Sequence, residues 1–208
     1  HRAESWMRGE EFSSLFTTLP DVCIVAEPTE LHVVTAHLGV VRWKLKTQGR
    51  SCHSSRPQQG VNAIYKMAEV LNGLKHYAAE LPNLTPRHPL CGSATLSVGR
   101  IHGGTSVNIV PDECFIEIDR RVAPGEDLLQ TIPNVTAYLQ SRVAVDFEML
   151  PPWISSNALS DKENQELADL LLKNIASVAV PREARGAWYG TNAPFFTSAG
   201  VPAVVFGP

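Results

Sequence analysis

The chain has 208 residues, 44% hydrophobic and 19% charged, an ordinary composition for one large globular domain or two small ones. Its formal net charge of −3 argues against a nucleic-acid partner, which selects a basic face or stripe. No apolar run approaches the roughly 18 residues that a membrane span needs, so no membrane partner is expected.

Residues 1–19 are polar and mixed, with a short helix expected to place Trp6, Phe12 and Phe16 on one side. Asp21 to Ala26 is apolar without alternation and predicts a buried, parallel-type strand. It ends in Glu27-Pro28-Thr29-Glu30. A carboxylate at the C-terminal edge of such a strand stands where open α/β sheets place ligands, although a glutamate there, taken alone, is more often a loop acid or a cap. From about Val40 the texture changes. Val41, Trp43, Leu45 and Thr47 alternate with Arg42, Lys44 and Lys46, as in a strand with one buried and one wet face. Gly49-Arg50-Ser51-Cys52-His53-Ser54-Ser55-Arg56-Pro57 then predicts a turn, because glycine, serine and proline favour turn geometry. The turn leaves His53 exposed and chemically available.

Val61, Ile64, Ala68, Leu71 and Leu74 recur at helical spacing, so an amphipathic helix is expected over roughly residues 60–79. A Pro-rich linker from Leu81 to Pro89 leads to a strand with Ala94, Leu96 and Val98 on one face, closed by a turn at Gly103-Gly104. A third strand follows from about Ser106, with Cys114, Ile116 and Ile118 inward and Phe115, Glu117, Asp119 and Arg121 opposite. Arg120 is expected to point to the other face and to be structural. After Pro124-Gly125 a second helix carries Leu128, Leu129, Ile132, Val135 and Leu139, with Pro133 expected to kink or shorten it. Val143, Val145, Phe147 and Met149 make a last alternating strand. The order β-α-β-β-α-β over residues 38–150 is that of a ferredoxin-like α+β sandwich.

Beyond Pro151-Pro152, Ser160 to Glu163 has capping-box spacing ahead of a helix through Leu167, Leu170, Leu171 and Ile175. A turn-rich loop, Trp188 to Ala193, a short helix near Pro194–Ser198 and a buried strand over Pro202–Phe206 complete the pattern. The expected fold is α/β: a partial catalytic domain in two pieces, 1–37 and 151–208, with a ferredoxin-like domain over 38–150 inserted between them. Cys23, Cys52, Cys91 and Cys114 have no metal-type spacing and read as free thiols of a reducing compartment, consistent with the cytoplasm. The chain starts at His1 and stops on Gly207-Pro208 directly after an apolar strand, so neither end reads as a natural terminus.

Five segments in order resemble the M20 family of zinc-dependent amidohydrolases and peptidases, its acetylornithine deacetylase and succinyl-diaminopimelate desuccinylase branch above all. They are Glu27-Pro28-Thr29; Gly49-x-x-x-His53-Ser54-Ser55-x-Pro57; Gly104-Thr105-Ser106-x-Asn108-x-x-Pro111; Asp119-x-Arg121-x-x-Pro124-Gly125; and Gly190-Thr191-Asn192 with Pro202 to Pro208. The resemblance covers nearly all of this chain but only about the second half of a typical member. It implies hydrolysis of an amide bond in an N-acyl amino acid or short peptide, with a zinc pair (cobalt as a possible substitute) that polarises the carbonyl and activates water. By the same resemblance Glu27 is a metal ligand. His53, on the dimerisation or lid domain, reaches a partner's active site in a homodimer and donates to the oxyanion. Asn108 and Arg121 match substrate-contacting positions, and Asn192 stands where many members have aspartate and is a candidate substrate contact.

The family's His-x-Asp segment, its Asp/Glu-Glu pair and its last histidine ligand have no match here. Glu10-Glu11 lie too close to Glu27 for the acidic pair and read as solvated helix acids, and His32, His37, His76, His88 and His102 read as surface or satisfied residues. Only one expected metal ligand, Glu27, is therefore present. The competing expectation is a non-catalytic dimerisation and lid module, inactive alone.

Overall fold

Alternating side chains build the larger of the two main sheets. In the computed structural model, which describes residues 18–178 and 181–208, strand β3 (Gly39–Gln48) pairs antiparallel with β7 (Glu113–Val122) along its whole length, from Gly39 opposite Val122 to Gln48 opposite Glu113. Val41, Trp43, Leu45 and Thr47 are buried with Cys114, Ile116 and Ile118, as the period-two pattern requires. β5 (Thr95–Gly103) lies outside β7, and β8 (Glu148–Met149) outside β3, giving the order β5-β7-β3-β8. Two helices, α1 (Ala63–Leu84) and α2 (Thr131–Gln140), pack on one another, and α1 covers β3, β5 and β7. This is the ferredoxin-like sandwich expected from the sequence.

Several details differ. The last strand does not run over Val143–Met149: only β8 pairs, at Leu45 and Lys46, and a further strand β9 (Ile154–Ser156) continues the ladder on β3 at Val40–Arg42. The indole N–H of Trp43 donates to the Met149 sulfur at 3.2 Å. Helix α1 buries Ala63, Met67, Val70, Leu74, Tyr77 and Leu81; of the expected stripe Leu74 is buried and Leu71 packs on the core, but Val61, Ile64 and Ala68 stay exposed. Both stripes have helical spacing and meet at Leu74, and over the first turns the sheet selects the one through Ala63, Met67 and Val70. The helix runs through Pro82 to Leu84, into the stretch expected as a linker. Pro133 is the third residue of α2, in the first turn, where a missing N–H breaks no bond, so it neither kinks nor shortens the helix. Leu129 is exposed ahead of α2 rather than part of its apolar face.

The smaller sheet has the order β1-β11-β2-β10. β1 (Cys23–Val25) runs parallel to β11 (Ala203–Val205), as expected, but its outer face is open and Ile24 is 49% exposed. β2 (Val33–His37), fully buried, and β10 (Ala184–Ala187) run parallel to one another, and neither is signalled by the sequence pattern. Helix α3 (Gln165–Val178) packs Leu167, Ala168 and Ile175 on Val33 and Val204. Helix α4 (Ala193–Ser198) lies against β1 and β11, and its Ala193 packs with Val34, Ala203 and Val205. The capping box before α3 does not form. Ser160 Oγ accepts from the Lys162 N–H, and the helix starts after Asn164, whose amide donates to the Thr35 and Ser160 carbonyls and accepts from the Ala203 N–H. The helix expected near Trp6, Phe12 and Phe16, and Glu10-Glu11, lie outside the described residues.

The sheets join where β2 runs into β3 through Leu38. There His37 and Leu159 exchange both backbone hydrogen bonds, at 3.1 and 3.0 Å. A Cβ on Gly39 would come within 2.6 Å of the Ala158 nitrogen and the Ser156 oxygen, so only glycine lets the outgoing and returning segments cross this closely. Among the described residues all four cysteines are free, and no helix is long and apolar enough to cross a membrane.

Candidate functional site

Beyond the end of β3 the chain folds back on itself: Gly49 N–H donates to the Asp112 carbonyl, and Arg50 exchanges two bonds with Val61. A short ladder follows, in which β4 (Cys52–His53) pairs with β6 (Ile109–Val110) and the Ser54 N–H donates to the Asn108 carbonyl at 2.9 Å. His53 and Asn108 are thereby brought together on an exposed tip. The ring of His53 is oriented by its own turn. Its Nδ1 accepts from the Ser55 N–H at 3.2 Å and lies 2.8 Å from Ser55 Oγ. An amide can only donate, so in the neutral ring the proton sits on Nε2, a donor directed away from the turn. Asn108 Oδ1 accepts from Ser106 Oγ at 2.5 Å. Beside them a groove of about 770 Å³ is lined by Ser54, Asn62, Tyr65, Thr105, Ser106 and Val107. Asn62 caps α1 by accepting from the Ile64 and Tyr65 N–H groups.

Glu27 leaves the C-terminal end of β1 with its side chain exposed. The turn after it is held to the far end of the chain: Thr29 and Leu31 N–H donate to the Gly207 carbonyl, and Thr29 Oγ1 accepts from the Gly207 N–H and donates to the His32 carbonyl at 2.6 Å. Glu30 and Leu31 both take left-handed backbone angles, φ 54° and 62°. Such angles cost non-glycine residues roughly 1–2 kcal/mol each, so the surroundings, not local preference, fix the chain beside Glu27. Tyr189 packs against the buried cluster that holds Val34, Leu159 and Ala187, and burial first, then the Glu27 carboxylate, raises its pKa. Asn192 is exposed at the start of α4, its side chain forming no cap bond, while its carbonyl accepts from the Phe195 N–H. The adjacent Thr191 is buried and meets the His37 ring at 2.9 Å.

Arg121 lies at the other end of β7 from the His53 tip. It stands eight positions along the strand from Glu113, roughly 27 Å. Its guanidinium forks onto Asp119, Nε to Oδ1 at 2.7 Å and Nη2 to Oδ2 at 3.2 Å, and Arg42 bonds the same carboxylate at 2.6 Å. Arg120, on the opposite face as expected, is buried, with Nη2 on Glu126 at 2.6 Å and Nη1 on the Arg121 carbonyl. Glu126 also accepts from the Ala123 N–H, which closes the turn at Gly125.

The predicted residues therefore form three separate groups: His53 with Asn108 on the tip, Arg121 with Asp119 at the far end of the same sheet, and Glu27 and Asn192 on the smaller sheet. Among the described residues no three His, Cys, Asp or Glu side chains form a group able to hold a metal. Glu27 supplies one donor, short of the three or four that zinc takes, so these residues do not by themselves make a zinc site. Sequence reasoning did not single out Thr29, Tyr189 or the His37–Thr191 pair. Thr29 stands within a recognised segment, but its partner is 178 residues away.

A family model described as a peptidase dimerisation domain matches residues 35–146. Over 99% of its length the chain is 33% identical to an acetylornithine deacetylase of Erwinia tasmaniensis and 30% identical to one of Photorhabdus laumondii subsp. laumondii, covering 53% of each. It thus spans about half the length of these curated relatives. Among solved structures, a tripeptidase from Staphylococcus aureus superimposes with a TM-score of 0.62 at 18% identity, over 91% of this chain and 46% of that one. Human carnosine dipeptidase 1 gives 0.61 at 11%, over 88% and 52%. At these identities the structural matches speak to the fold alone.

Proposed function

The chain belongs to the M20 family of peptidases and amidohydrolases, and from that premise we propose that the complete protein hydrolyses an amide bond of an N-acyl amino acid or short peptide. The whole-length similarity to two acetylornithine deacetylases supports a deacetylase-type substrate, a small acylated amino acid.

One geometric observation carries the catalytic reading: Nδ1 of His53 is occupied by the Ser55 N–H, which leaves Nε2–H free on an exposed tip. A fixed N–H donor of this kind suits an oxyanion developing on an amide carbonyl. The tip lies at the end of the larger sheet away from Arg121 and the crossover, so we assign its acceptor to a partner subunit of a homodimer. Asn108, bound to the same tip, would contact that substrate. Arg121, Glu27 and Asn192 would serve the chain's own site, with Arg121 offering a planar fork to a substrate carboxylate once Asp119 yields part of it. In this reading residues 38–150 form the dimerisation or lid domain, and 1–37 and 151–208 are two pieces of an incomplete catalytic domain. Glu27 would be this chain's ligand to a zinc pair completed by donors elsewhere in the complete protein. Bound there, zinc, or cobalt in its place, would polarise the scissile carbonyl and lower the pKa of water.

His53→Ala in the complete protein should lower turnover of N-acetyl amino acids by about 10²–10³, the usual effect of removing one oxyanion donor, with metal content unchanged. An unchanged rate would remove His53 from the chemistry. A second reading, a dimerisation and lid module without activity of its own, is favoured by Glu27 belonging to no group of three ligand-type residues among the described residues. Metal analysis separates the two: about two zinc per chain, as a co-catalytic pair requires, supports hydrolysis, and a value near zero supports the module.

A further inference from the structure

We propose that His37 is a positioning residue whose neutral ring fastens the loop carrying Tyr189 and Asn192 to the crossover between the two sheets. The proposal rests on the reading of Glu27 and Asn192 as the substrate-facing edge. His37 is fully buried at the last residue of β2, next to the single residue that leads into β3. Its Nδ1 lies 3.0 Å from the Leu38 carbonyl, which can only accept, so Nδ1 bears the proton. Nε2 is then an acceptor, and Thr191 presents it with two donors, the hydroxyl at 2.9 Å and the backbone N–H at 3.3 Å.

The donors run in one direction: Ala193 N–H to Thr191 Oγ1, Thr191 O–H to His37 Nε2, His37 Nδ1–H to the Leu38 oxygen. The other end of the loop is tied as well, because the Leu38 N–H donates to the Ala187 carbonyl at 3.2 Å. Residues 188–190 are thus strung between two anchors, both on the crossover. A rotation of the larger sheet that begins at Leu38 and Gly39 would be felt directly by this loop. A protonated ring could not serve, since Nε2–H would face the Thr191 N–H. An aliphatic residue would fill the space but leave that N–H buried without a partner, which is costly.

The first test is the tautomer. Long-range ¹⁵N–¹H correlation on the complete protein, labelled at histidine, should give His37 as the Nδ1–H form at neutral pH. An Nε2–H or imidazolium signature would overturn the proposal. The second is exchange. His37→Leu should speed amide exchange of Tyr189, Thr191 and Ala193 about tenfold or more, as expected when a bond of ordinary strength is lost locally. Exchange in β3 and β7 should not change, and kcat should fall more than KM rises. His37→Gln, whose side-chain oxygen can accept from Thr191, should restore slow loop exchange and most of kcat. If His37→Leu does not fold, Thr191→Val, which removes the hydroxyl and keeps the shape, should loosen the same amides. Loop exchange that is unchanged in a folded variant overturns the latch. Absence of amide hydrolysis in the unaltered protein would sink only the functional reading, because the tautomer and exchange readouts do not depend on it.

Discussion

His37 is buried among polar contacts that accept it only without charge, and burial above all lowers its pKa from 6.5 to about 4. The consequence for stability has a definite sign. Between those two pH values the unfolded chain binds a proton that the folded chain refuses, so stability is full above about pH 6.5 and is lost as pH falls towards 4. At roughly 1.4 kcal/mol per pKa unit the loss is on the order of 3 kcal/mol. Urea unfolding at pH 7.5 and 4.5 should therefore show a larger drop for the unaltered protein than for His37→Gln. Equal drops would mean that the ring titrates normally. His53 is set by the opposite arrangement: its turn uses Nδ1 as the acceptor and frees Nε2, so these two histidines are held in different tautomers.

Helices and strands were legible from the sequence where one face is wet. Val41 to Thr47 and Cys114 to Ile118 alternate cleanly, and both lie in the register that the pattern demands. β2 was not legible, because Val33–His37 is buried throughout, so nothing alternates and its threonine and histidine look like loop residues. β10 reads Ala-Arg-Gly-Ala and holds no strand-forming side chain at all; it exists because β2 offers it a partner. The turn holding His53 could be anticipated from glycine, serine and proline, and the Arg121–Asp119 fork from their shared face two residues apart. The stitch from Thr29 to Gly207 joins distant parts of the chain and leaves no local trace. At this scale the sharpest prediction concerns β7. Glu126→Ala would leave Arg120 buried without its carboxylate and should cost about 3–5 kcal/mol, read as a lowered urea midpoint. A change below about 1 kcal/mol, the usual worth of an exposed pair, would mean that water already reaches the guanidinium.

For the whole molecule, β5 forms one edge of the larger sheet, with no strand on its outer side among the described residues, and Ile101 on it is 51% exposed. Under the dimer reading two such edges meet across a two-fold axis. Ile101→Lys should then shift the complete protein from dimer to monomer in sedimentation, and it should cost activity by withdrawing His53 from its partner. A strictly monomeric unaltered protein would exclude the cross-subunit role. The paired backbone of His37 and Leu159 bears on how the chain reaches this state. Every strand of the larger sheet lies between those two residues, on the order of a hundred positions of chain. Closing so long a loop by chance costs roughly 4 kcal/mol in entropy. If the larger sheet folds first, its own β3–β9 ladder brings residues 37 and 159 side by side, and the smaller sheet inherits the closure. Folding should therefore be sequential, with β3 and β7 protected from exchange before β2 and β11. The smaller sheet then assembles on a junction already made.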